Sequence, residues 1–285
     1  MKNQPKVFIV ILNWNGKDTL LDCLRSVFGL SYSNYEVVVV DNASRDGSIE
    51  AVKSLFSRSH FILNHDNVGF ASGMNVGIRY AFSKGTEYVW ILNNDVECDK
   101  DALFSLVSAA KEYDTPALYS PHIVTPAGDD WFSGGKIDYI RMRAEHVSEE
   151  EKIVIGAPYK TGYLSGCALF ASRKAIEITG LFDEAYFLYY EDADLSVRAL
   201  KKGVDLVVVP EAVITHSEQS EQNPDKIYWL VRSGLRFFKT HTPFPARIWM
   251  WIFVPMRKMK NSLDKFRGKK EALPVSSAYA DSRAL

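Results

Sequence analysis

Three short apolar runs in the first third of the chain each end in a polar residue. The runs and the residues that follow them are Val7–Leu12 before Asn13, Glu36–Val40 before Asp41, and Tyr88–Leu92 before Asn93. Apolar runs without polar alternation predict strands that are covered on both faces, as in a parallel sheet. Ligands of such sheets bind beyond the carboxyl ends of the strands, which makes the polar residues at these ends candidates for a functional site.

Helical patterns separate these runs, and the alternation continues along the chain. Apolar positions at helical spacing predict helices over Thr19–Phe28, Ser48–Phe56, Ala71–Phe82 and from a cap at Asp99 to Tyr113. Two later runs predict further strands, Gly166–Ala171 and Leu206–Val209. Residues 128–162 have no clear period and are interpreted either as a mobile substrate loop or as a solvated insertion. This alternation predicts an α/β fold with a mostly parallel sheet flanked by helices.

The composition is that of an ordinary globular protein. The chain has 285 residues, of which 47% are hydrophobic and 24% charged, with a formal net charge of -1. This length predicts one large domain or two small ones, and the charge balance argues against a general nucleic-acid binder. The three cysteines have neither zinc-ligand spacing nor an even count, which favours a reducing cytoplasm. We recognise no signal peptide and no membrane-spanning run, and therefore expect a cytoplasmic protein that is soluble or peripheral.

The charge is distributed unevenly. Residues 226–270 contain twelve Lys or Arg and one acid, Asp264, together with nine aromatic residues. Basic side chains beside Trp and Phe suit an anionic bilayer surface, which predicts a peripheral membrane contact through this segment. The alternative is a helix that packs its aromatic residues on the main domain and leaves its cations in water. The predicted domains are residues 1–225 and a basic, aromatic helical extension over 226–285, in which a flexible tail is expected from Leu273 onwards.

Two polar motifs in the first half of the chain are candidates for ligand binding. Asp41 leaves a buried strand and can accept hydrogen bonds from a nucleobase N–H or a ribose hydroxyl, although a capping role in a turn would also explain it. Glycines recur every fourth residue over Gly69–Gly77, which places them on one stripe of a helix and predicts close packing. Asn67 and Asn75 in this motif are weaker candidates for ligand contact. The motif lacks the spacing of a dinucleotide fingerprint.

Carboxylates occur at two further places where chemistry is expected. Asp95 follows a buried strand, and a carboxylate there can hold Mg²⁺ or Mn²⁺ against a diphosphate, although a turn would also explain it. Glu191 and Asp192 begin a predicted helix directly after the aromatic run Tyr186–Tyr190. An ionised carboxylate in that position can act as a general base.

Two neighbouring features have more ordinary interpretations. Asp194 and Arg198 lie four residues apart in the same predicted helix and are expected to form a structural ion pair. His216 follows the last predicted strand. Taken alone, such a histidine is more often a surface or core residue than a metal ligand.

In this order, the motifs resemble those of the inverting glycosyltransferases of family 2, which have the GT-A fold. The nearest subgroup is similar to the rhamnosyltransferase-like enzymes of bacterial polysaccharide assembly. The matching elements are Ile11–Gly16, Asp41–Ser44, Asn67–Phe70 with Asn75, Asn93–Asp95, Ser165–Gly166, Phe182–Glu184, Glu191–Asp194 and His216. The resemblance covers about residues 5–240, and the ordered set is far more specific than any one motif.

The resemblance implies a role for each matching residue. Asp41 would bind the uracil or thymine of a nucleotide sugar, and Asp192 would be the catalytic base with Glu191 as its neighbour. Asp95 and His216 would hold a Mg²⁺ or Mn²⁺ ion. Further contacts to the donor would come from Asn13, Asn67, Asn75, Asn94 and Gly166.

Two departures from the family pattern refine the expected function. The D-x-D element reads Asn93-Asn94-Asp95, so its first acid is absent, and the Q-x-x-R-W element of processive synthases is missing. The resemblance therefore implies transfer of a single sugar from a UDP- or dTDP-sugar, with dTDP-rhamnose as one candidate, in cell-surface polysaccharide synthesis such as O-antigen assembly. The acceptor would be a glycan or lipid-linked glycan at the inner face of the plasma membrane. The alternatives are a non-catalytic nucleotide-sugar binder, a nucleotidyltransferase or a dehydrogenase.

Overall fold

The computed structural model describes residues 4–147, 156–217 and 225–282. The strands are β1 Val7–Asn13, β2 Tyr35–Asp41, β3 His60–Leu63, β4 Tyr88–Asn93, β5 Val96–Cys98, β6 Ala117–Val124, β7 Asp130–Phe132, β8 Gly135–Asp138, β9 Arg143–His146, β10 Tyr159–Lys160, β11 Ala168–Ser172 and β12 Asp205–His216. The helices are α1 Lys17–Phe28, α2 Ser48–Leu55, α3 Gly69–Ser83, α4 Ala102–Glu112, α5 Arg173–Thr179, α6 Glu191–Lys201, α7 Lys226–His241, α8 Phe244–Phe266 and α9 Ala272–Asp281.

One large sheet organises the fold, in the strand order β10-β12-β6-β11-β4-β1-β2-β3. Strands β3, β2, β1 and β4 are parallel neighbours, and β6 is parallel to β12. Strand β11 lies between the two groups and runs antiparallel to both β4 and β6. The predicted α/β fold with a mostly parallel sheet and flanking helices is confirmed. The parallel strands bring their carboxyl ends, and the polar residues there, to one edge of the sheet.

Helix α3 packs closely on the sheet because its glycines face the strands. A Cβ atom added to Gly73 would lie 2.5 Å from Leu12 Cδ1, and one added to Gly77 would overlap Val10. Both contacts are too short for a side chain, so these positions require glycine. The packing role predicted for the glycine stripe is thus observed.

The irregular middle segment contains short strands. Strands β8 and β9 form a separate two-stranded sheet, β10 is an edge strand of the main sheet, and β7 pairs with the end of β6. Residues 148–155 of the predicted loop lie outside the described residues. Helix α4 begins at Ala102, with Asp101 rather than Asp99 at its cap position.

The C-terminal extension splits into helices with different environments. Phe237 and Phe238 of α7 are buried, as expected for aromatic residues that pack on the main domain. In contrast, α8 exposes Phe244, Trp251 and Phe266, which are 76%, 68% and 92% accessible. Neither of the two predicted interpretations therefore applies to the whole extension. In the part of the chain that the structure describes, no helix is long and apolar enough to cross a membrane.

The predicted flexible tail from Leu273 is wrong for residues 272–281, which form helix α9. Asn261 Nδ2 on α8 donates hydrogen bonds to Ser276 Oγ at 2.9 Å and to the Ala272 carbonyl at 3.1 Å. Ala272 and Ala278 are buried against the neighbouring helices. These contacts to α7 and α8 hold a segment whose own composition gives only a weak helical signal.

Candidate active site

The polar residues that end β1 and β2 form one hydrogen-bonded network. Asn13 Nδ2 donates to Asp41 Oδ1 at 2.9 Å and to Ser48 Oγ at 2.9 Å. Asn94 Nδ2 in turn donates to Asn13 Oδ1 at 2.8 Å. Asp41 also accepts hydrogen bonds from the backbone N–H and the hydroxyl of Ser44 and is only 4% exposed. The structure thus brings Asn13, Asp41 and Asn94 together, with Asp41 beneath the surface of the site.

A cavity of about 390 Å³ lies at the carboxyl ends of β1, β2 and β4. Among its lining residues are two predicted donor-binding residues, Asn67 and Asn94, and four aromatic residues, Trp14, Phe70, Phe187 and Trp229. The rings of Phe187 and Trp229 are stacked, with centroids 4.4 Å apart. We name this space the donor cavity, because amides beside stacked rings suit a nucleobase and its phosphates. The aromatic residues were not predicted as site residues, although Trp14 lies inside the Ile11–Gly16 motif.

Gly69 allows the wall of the donor cavity to close over the start of α3. Its φ is +82°, and an added Cβ would overlap the Phe187 carbonyl, whose oxygen accepts a 2.7 Å hydrogen bond from the Phe70 N–H. Asn67 Oδ1 accepts the Gly69 N–H at 3.0 Å. Asn67 therefore both lines the cavity and fixes the entry of the helix.

Asn75 is not among the residues that line the donor cavity, and its predicted contact with a donor stays a prediction. The side chain is completely buried and donates to the Phe182 carbonyl and to Glu184 Oε1, both at 2.9 Å. Its Oδ1 accepts the Phe182 N–H at 3.1 Å. These bonds use its amide to tie α3 to residues 182–184, so in this structure Asn75 positions that segment.

The two predicted metal ligands are neighbours. Asp95 lies in the turn between β4 and β5, and the antiparallel pairing of β5 with β12 sets His216 opposite Val96. His216 Nε2 lies 3.2 Å from Asp95 Oδ1, and the ring of Trp131 stands edge-on to His216 with centroids 4.4 Å apart. Among the described residues there is no group of three or more His, Cys, Asp or Glu that could hold a metal ion.

The pair fits two adjacent positions of a hard divalent cation. Bonds of about 2.0–2.1 Å in octahedral geometry separate neighbouring ligand atoms by about 3 Å, close to the observed distance. Asp95 Oδ1 is buried and has no hydrogen-bond partner within the described part of the chain, which leaves its lone pairs free for a cation. A metal held by only two side chains would take its remaining ligands from phosphate oxygens and water.

Asp192 is held at the start of α6 by groups from a different segment. Its Oδ2 accepts the Tyr163 hydroxyl at 2.7 Å and the Gly166 N–H at 2.9 Å. The two residues before the helix, Tyr189 and Tyr190, have φ of 65° and 67°. Left-handed backbone at two consecutive tyrosines is strained, and such strain is typical of functional sites. Gly166, predicted to line the donor sugar, here contacts the carboxylate of Asp192.

Burial raises the pKa of Asp192, against the hydrogen bonds from Gly166 and Tyr163, which lower it. Burial, and then the charge of Asp192, raise the pKa of Glu191 well above its usual range. Burial, and then the charge of Asp192, also raise the pKa of Tyr163, so its hydroxyl stays protonated and donates. A carboxylate that is poorly solvated and positioned by two donors has the properties of a general base.

Asp192 lies at the same edge of the sheet as Asp95 and His216. The Cys167 carbonyl accepts a 2.9 Å hydrogen bond from the Asn93 N–H, two residues before Asp95, and Gly166 is bonded to Asp192. A small cavity of about 160 Å³, which we name the acceptor cavity, is lined by Glu191, Asp192 and neighbouring side chains. Asp192 therefore lies beside a cavity of its own, distinct from the one that Asn67 and Asn94 line. Tyr163 was missed because it lies in a stretch without any periodic signal.

The sequence model of a family described as Glycosyl transferase family 2 matches residues 8–178. The dTDP-rhamnosyl transferase RfbF of Shigella flexneri is 24% identical over 260 residues, which cover 87% of this chain and 85% of that protein. An N-acetylglucosaminyl-diphospho-decaprenol L-rhamnosyltransferase of Mycobacterium tuberculosis is 26% identical over 210 residues, covering 66% of this chain and 68% of that protein.

Two solved structures have the same fold at low identity. GalNAc-T7 with UDP, GalNAc and Mn²⁺ superposes with a TM-score of 0.66 at 19% identity and covers 82% of this chain. This chain spans 48% of that one. The mannosyltransferase PcManGT from Pyrobaculum calidifontis, with GDP-Man and Mn²⁺, gives a TM-score of 0.60 at 17% identity over 99% of this chain and 76% of that chain.

Proposed function

The chain belongs to glycosyl transferase family 2, and on that premise we propose that it moves a single sugar, with inversion, from a UDP- or dTDP-sugar to a glycan or lipid-linked glycan. The rhamnosyltransferases among its relatives make dTDP-rhamnose the first donor to test. The proposal rests above all on Asp192, a half-buried carboxylate held by Tyr163 and Gly166 beside a cavity of its own.

In the proposed reaction Asp192 accepts the proton of an acceptor hydroxyl as that oxygen attacks the anomeric carbon. The bond from this carbon to the diphosphate breaks on the opposite face, and the nucleotide leaves with both bonding electrons. One displacement inverts the configuration once. General-base assistance of this kind is typically worth ~10²–10⁴-fold in rate. Tyr163 and Gly166 orient the carboxylate.

Asp95 and His216 are the residues that would hold Mn²⁺ or Mg²⁺. A bound divalent cation would supply charge neutralisation for the departing diphosphate. Because the first acid of the family's metal element is Asn93 here, we expect weak metal affinity in the absence of a nucleotide. EDTA should therefore abolish transfer, and added Mn²⁺ should restore it. Full activity in EDTA would remove the metal from the mechanism.

The donor cavity allows specific roles to be proposed for Asn67, Asn94 and Asp41. We propose that the rings of Trp14 and Trp229 contact the nucleobase and that Asn67 and Asn94 contact its ribose or phosphates. Asp41 would act through Asn13 and Ser44, which it holds, because its own carboxylate is already bonded to both.

We also propose that α8 rests on the inner face of the plasma membrane. Its exposed aromatic residues and its cations match the interface of an anionic bilayer. The full chain should sediment with phosphatidylglycerol vesicles, and a Trp251→Ser/Phe266→Ser variant should remain in the supernatant. Phe104→Ser, which changes an exposed ring on α4, is the control and should sediment normally. Equal sedimentation of all three proteins would contradict this contact.

A screen of nucleotide sugars tests the donor assignment. Thermal shift with Mn²⁺ present should identify one UDP- or dTDP-sugar that raises the melting temperature more than its nucleotide alone. The same compound should then be consumed, slowly by hydrolysis and faster with an acceptor. A sugar that binds but is never hydrolysed or transferred would favour a non-catalytic binder instead.

A further inference from the structure

Beyond the acceptor cavity lies a second and larger space with an unusual charge. It has a volume of about 480 Å³ and is enclosed by α7, α8, α9 and the start of β9. Three cations line it: Arg143 on β9, and Arg257 and Lys260 on α8. We name it the cationic cavity. Its single lining acid, Asp264, is paired with Lys269 at 2.8 Å.

Carboxylates pair with these cations only weakly, although the guanidinium of Arg257 lies over the Phe253 ring at 5.4 Å and the charge of Lys260 contributes to the lowered pKa of Asp264. Within the residues that the structure describes, Arg257 and Lys260 form no ion pair with a carboxylate, and Arg143 has only a loose one, 3.6 Å from Glu145. Arg257 and Lys260 are three residues apart on one helix face, where like charges destabilise a helix slightly. An anion placed between them would turn this repulsion into attraction.

The cationic cavity adjoins the acceptor cavity. Ala144, Tyr190 and Leu230 line both spaces. Tyr190 directly precedes Glu191, and the charges of Arg257 and Arg143 lower its pKa, although burial has the larger effect and raises it overall. The cations therefore lie close to the wall that they share with the catalytic carboxylates.

An apolar groove continues from the other side of the cationic cavity. This space, of about 520 Å³, shares Arg143, Arg257 and Lys260 with it. Its apolar lining comes from one face of α8, namely Phe253, Met256, Met259 and Leu263. Met256, Met259 and Leu263 are each more than half exposed. The order along the molecule is thus carboxylates, then cations, then an apolar surface.

We propose that the cationic cavity binds the diphosphate of a lipid-linked acceptor, with its sugar in the acceptor cavity and its hydrocarbon tail along the apolar groove. This inference rests on the proposed function and assigns a substrate class to its acceptor side. A sugar, a diphosphate and an apolar chain occur in this order in one molecule, and the three spaces follow the same order. Arginine and lysine are the side chains best suited to diphosphate oxygens.

Farnesyl diphosphate, which has the diphosphate and a short tail but no sugar, tests the subsite without any need for turnover. Its binding to the full chain is measured by titration calorimetry with saturating dTDP, so that the donor cavity is occupied. We expect it to bind about tenfold or more tightly than either inorganic pyrophosphate or farnesol, since it alone engages both cations and groove. Displacement by dTDP, or equal affinity for all three compounds, would overturn the proposal.

Matched variants separate the cavity from the general charge of α8. Arg257→Gln/Lys260→Gln should weaken farnesyl diphosphate binding about tenfold or more, whereas Lys265→Gln/Arg267→Gln, with the same charge loss outside the cavity, should change it less than about twofold. Equal losses in both variants would mean that net charge alone binds the anion, and would overturn the subsite. Hydrolysis of the donor sugar is measured in parallel. Normal hydrolysis with unchanged farnesyl diphosphate binding in Arg257→Gln/Lys260→Gln defeats this inference alone, whereas absence of hydrolysis in the unmodified protein defeats the proposed function.

Discussion

Helix α6 presents its first carboxylates to two opposite environments. Glu191 and Asp192 line the acceptor cavity, and burial raises the pKa of both. Asp194 faces α7, where His241 donates a hydrogen bond to it at 2.7 Å, and Arg198, one turn further along α6, donates another at 2.6 Å. Burial by itself would raise the pKa of Asp194, but these two partners outweigh it and lower the pKa.

The contrast shows that the partner, not the helix, decides what each carboxylate does. All three acids lie in the first turn, where the helix dipole favours negative charge to a similar degree. Asp194 has a cationic partner in Arg198 and a hydrogen-bond donor in His241, and it gains stability as an anion. Asp192 has two neutral donors, which leave its charge uncompensated and available for chemistry. Burial favours the protonated form of Glu191, whose Oε2 has no hydrogen-bond partner among the described residues. Substitution of Asp192 should therefore reduce transfer with little loss of stability, whereas substitution of Asp194 should reduce stability.

The largest expected effect is on transfer, from Asp192→Asn on the side of the acceptor cavity. Asparagine keeps the shape but cannot accept the acceptor proton, so the rate of transfer should fall by ~10²–10⁴-fold. The dissociation constant of the nucleotide sugar and the melting temperature should change little, because the donor cavity does not include this residue. Transfer at the normal rate would remove Asp192 from the role of base.

On the opposite side, Asp194→Asn should affect stability instead. Removing one member of a buried ion pair costs about 3–5 kcal/mol of unfolding free energy, because His241 and Arg198 remain buried without their anion. The control is Asp22→Asn, which breaks an exposed pair with Arg25 and should cost about 0–1 kcal/mol. Urea unfolding at neutral pH measures both variants. Equal stability of the two would contradict the assigned role.

The pH dependence of this stabilisation follows from the direction of the shift. The pKa of Asp194 is lowered in the folded state, so its contribution is complete above the unfolded pKa of about 3.9 and is lost as the pH falls through the folded value. The difference in stability between the unmodified protein and Asp194→Asn should therefore shrink in acid. A difference that stays constant down to acid unfolding would show that the ion pair is not its source.

Much of the fold could be predicted from the chain because its central strands are continuous apolar runs that end in polar residues. The direction of β11 could not, since the run Ala168–Ser172 is equally apolar in either direction and only its neighbours make it antiparallel. Helix α9 was missed for a related reason. Its contacts come from Asn261 and from α7, and no local pattern encodes them.

The candidate site likewise combines residues that the sequence locates with contacts that only the folded structure reveals. Asp41, Asp95 and Asp192 could be located because each stands at the end of a strand or at the start of a helix. The approach of His216 to Asp95 depends on the pairing of β5 with β12, which the chain alone does not specify. Tyr163 lies in an irregular stretch, and its bond to Asp192 follows only from the folded structure.

Tyr163→Phe tests the same contrast between carboxylates by removing a hydrogen-bond partner of Asp192 while leaving its carboxylate unchanged. In the unmodified protein, the hydrogen bond from the Tyr163 hydroxyl lowers the pKa of Asp192. Without this bond the pKa should rise further, and the acid limb of the pH–rate profile of transfer should move to higher pH. We expect a loss of about tenfold at low pH, typical of a hydrogen bond to a charged group, with partial recovery at high pH. Tyr159→Phe, which removes a hydroxyl bonded to the Ser133 carbonyl, is the control and should leave the limb in place. An unmoved limb in Tyr163→Phe would separate Tyr163 from the base.

The smallest expected effect, and the one of opposite sign, is that of Glu191→Gln. The pKa of Glu191 is raised in the folded state, so the folded protein binds this proton more tightly than the unfolded chain. Stability is therefore lost as the pH rises from the unfolded value of about 4.3 towards the folded one. Glutamine mimics the protonated form, so Glu191→Gln should be more stable than the unmodified protein at neutral pH and equally stable near pH ~4.

Thermal unfolding at several pH values measures this gain, at about 2–4 °C for each kcal/mol. The protonated form that glutamine mimics carries no charge, so the variant should leave the acid limb of transfer in place and retain the maximal rate. A large loss of that maximal rate would instead make Glu191 a direct participant in the chemistry. A gain in melting temperature that is the same in acid and at neutral pH would show that packing, rather than the buried charge of Glu191, causes the gain.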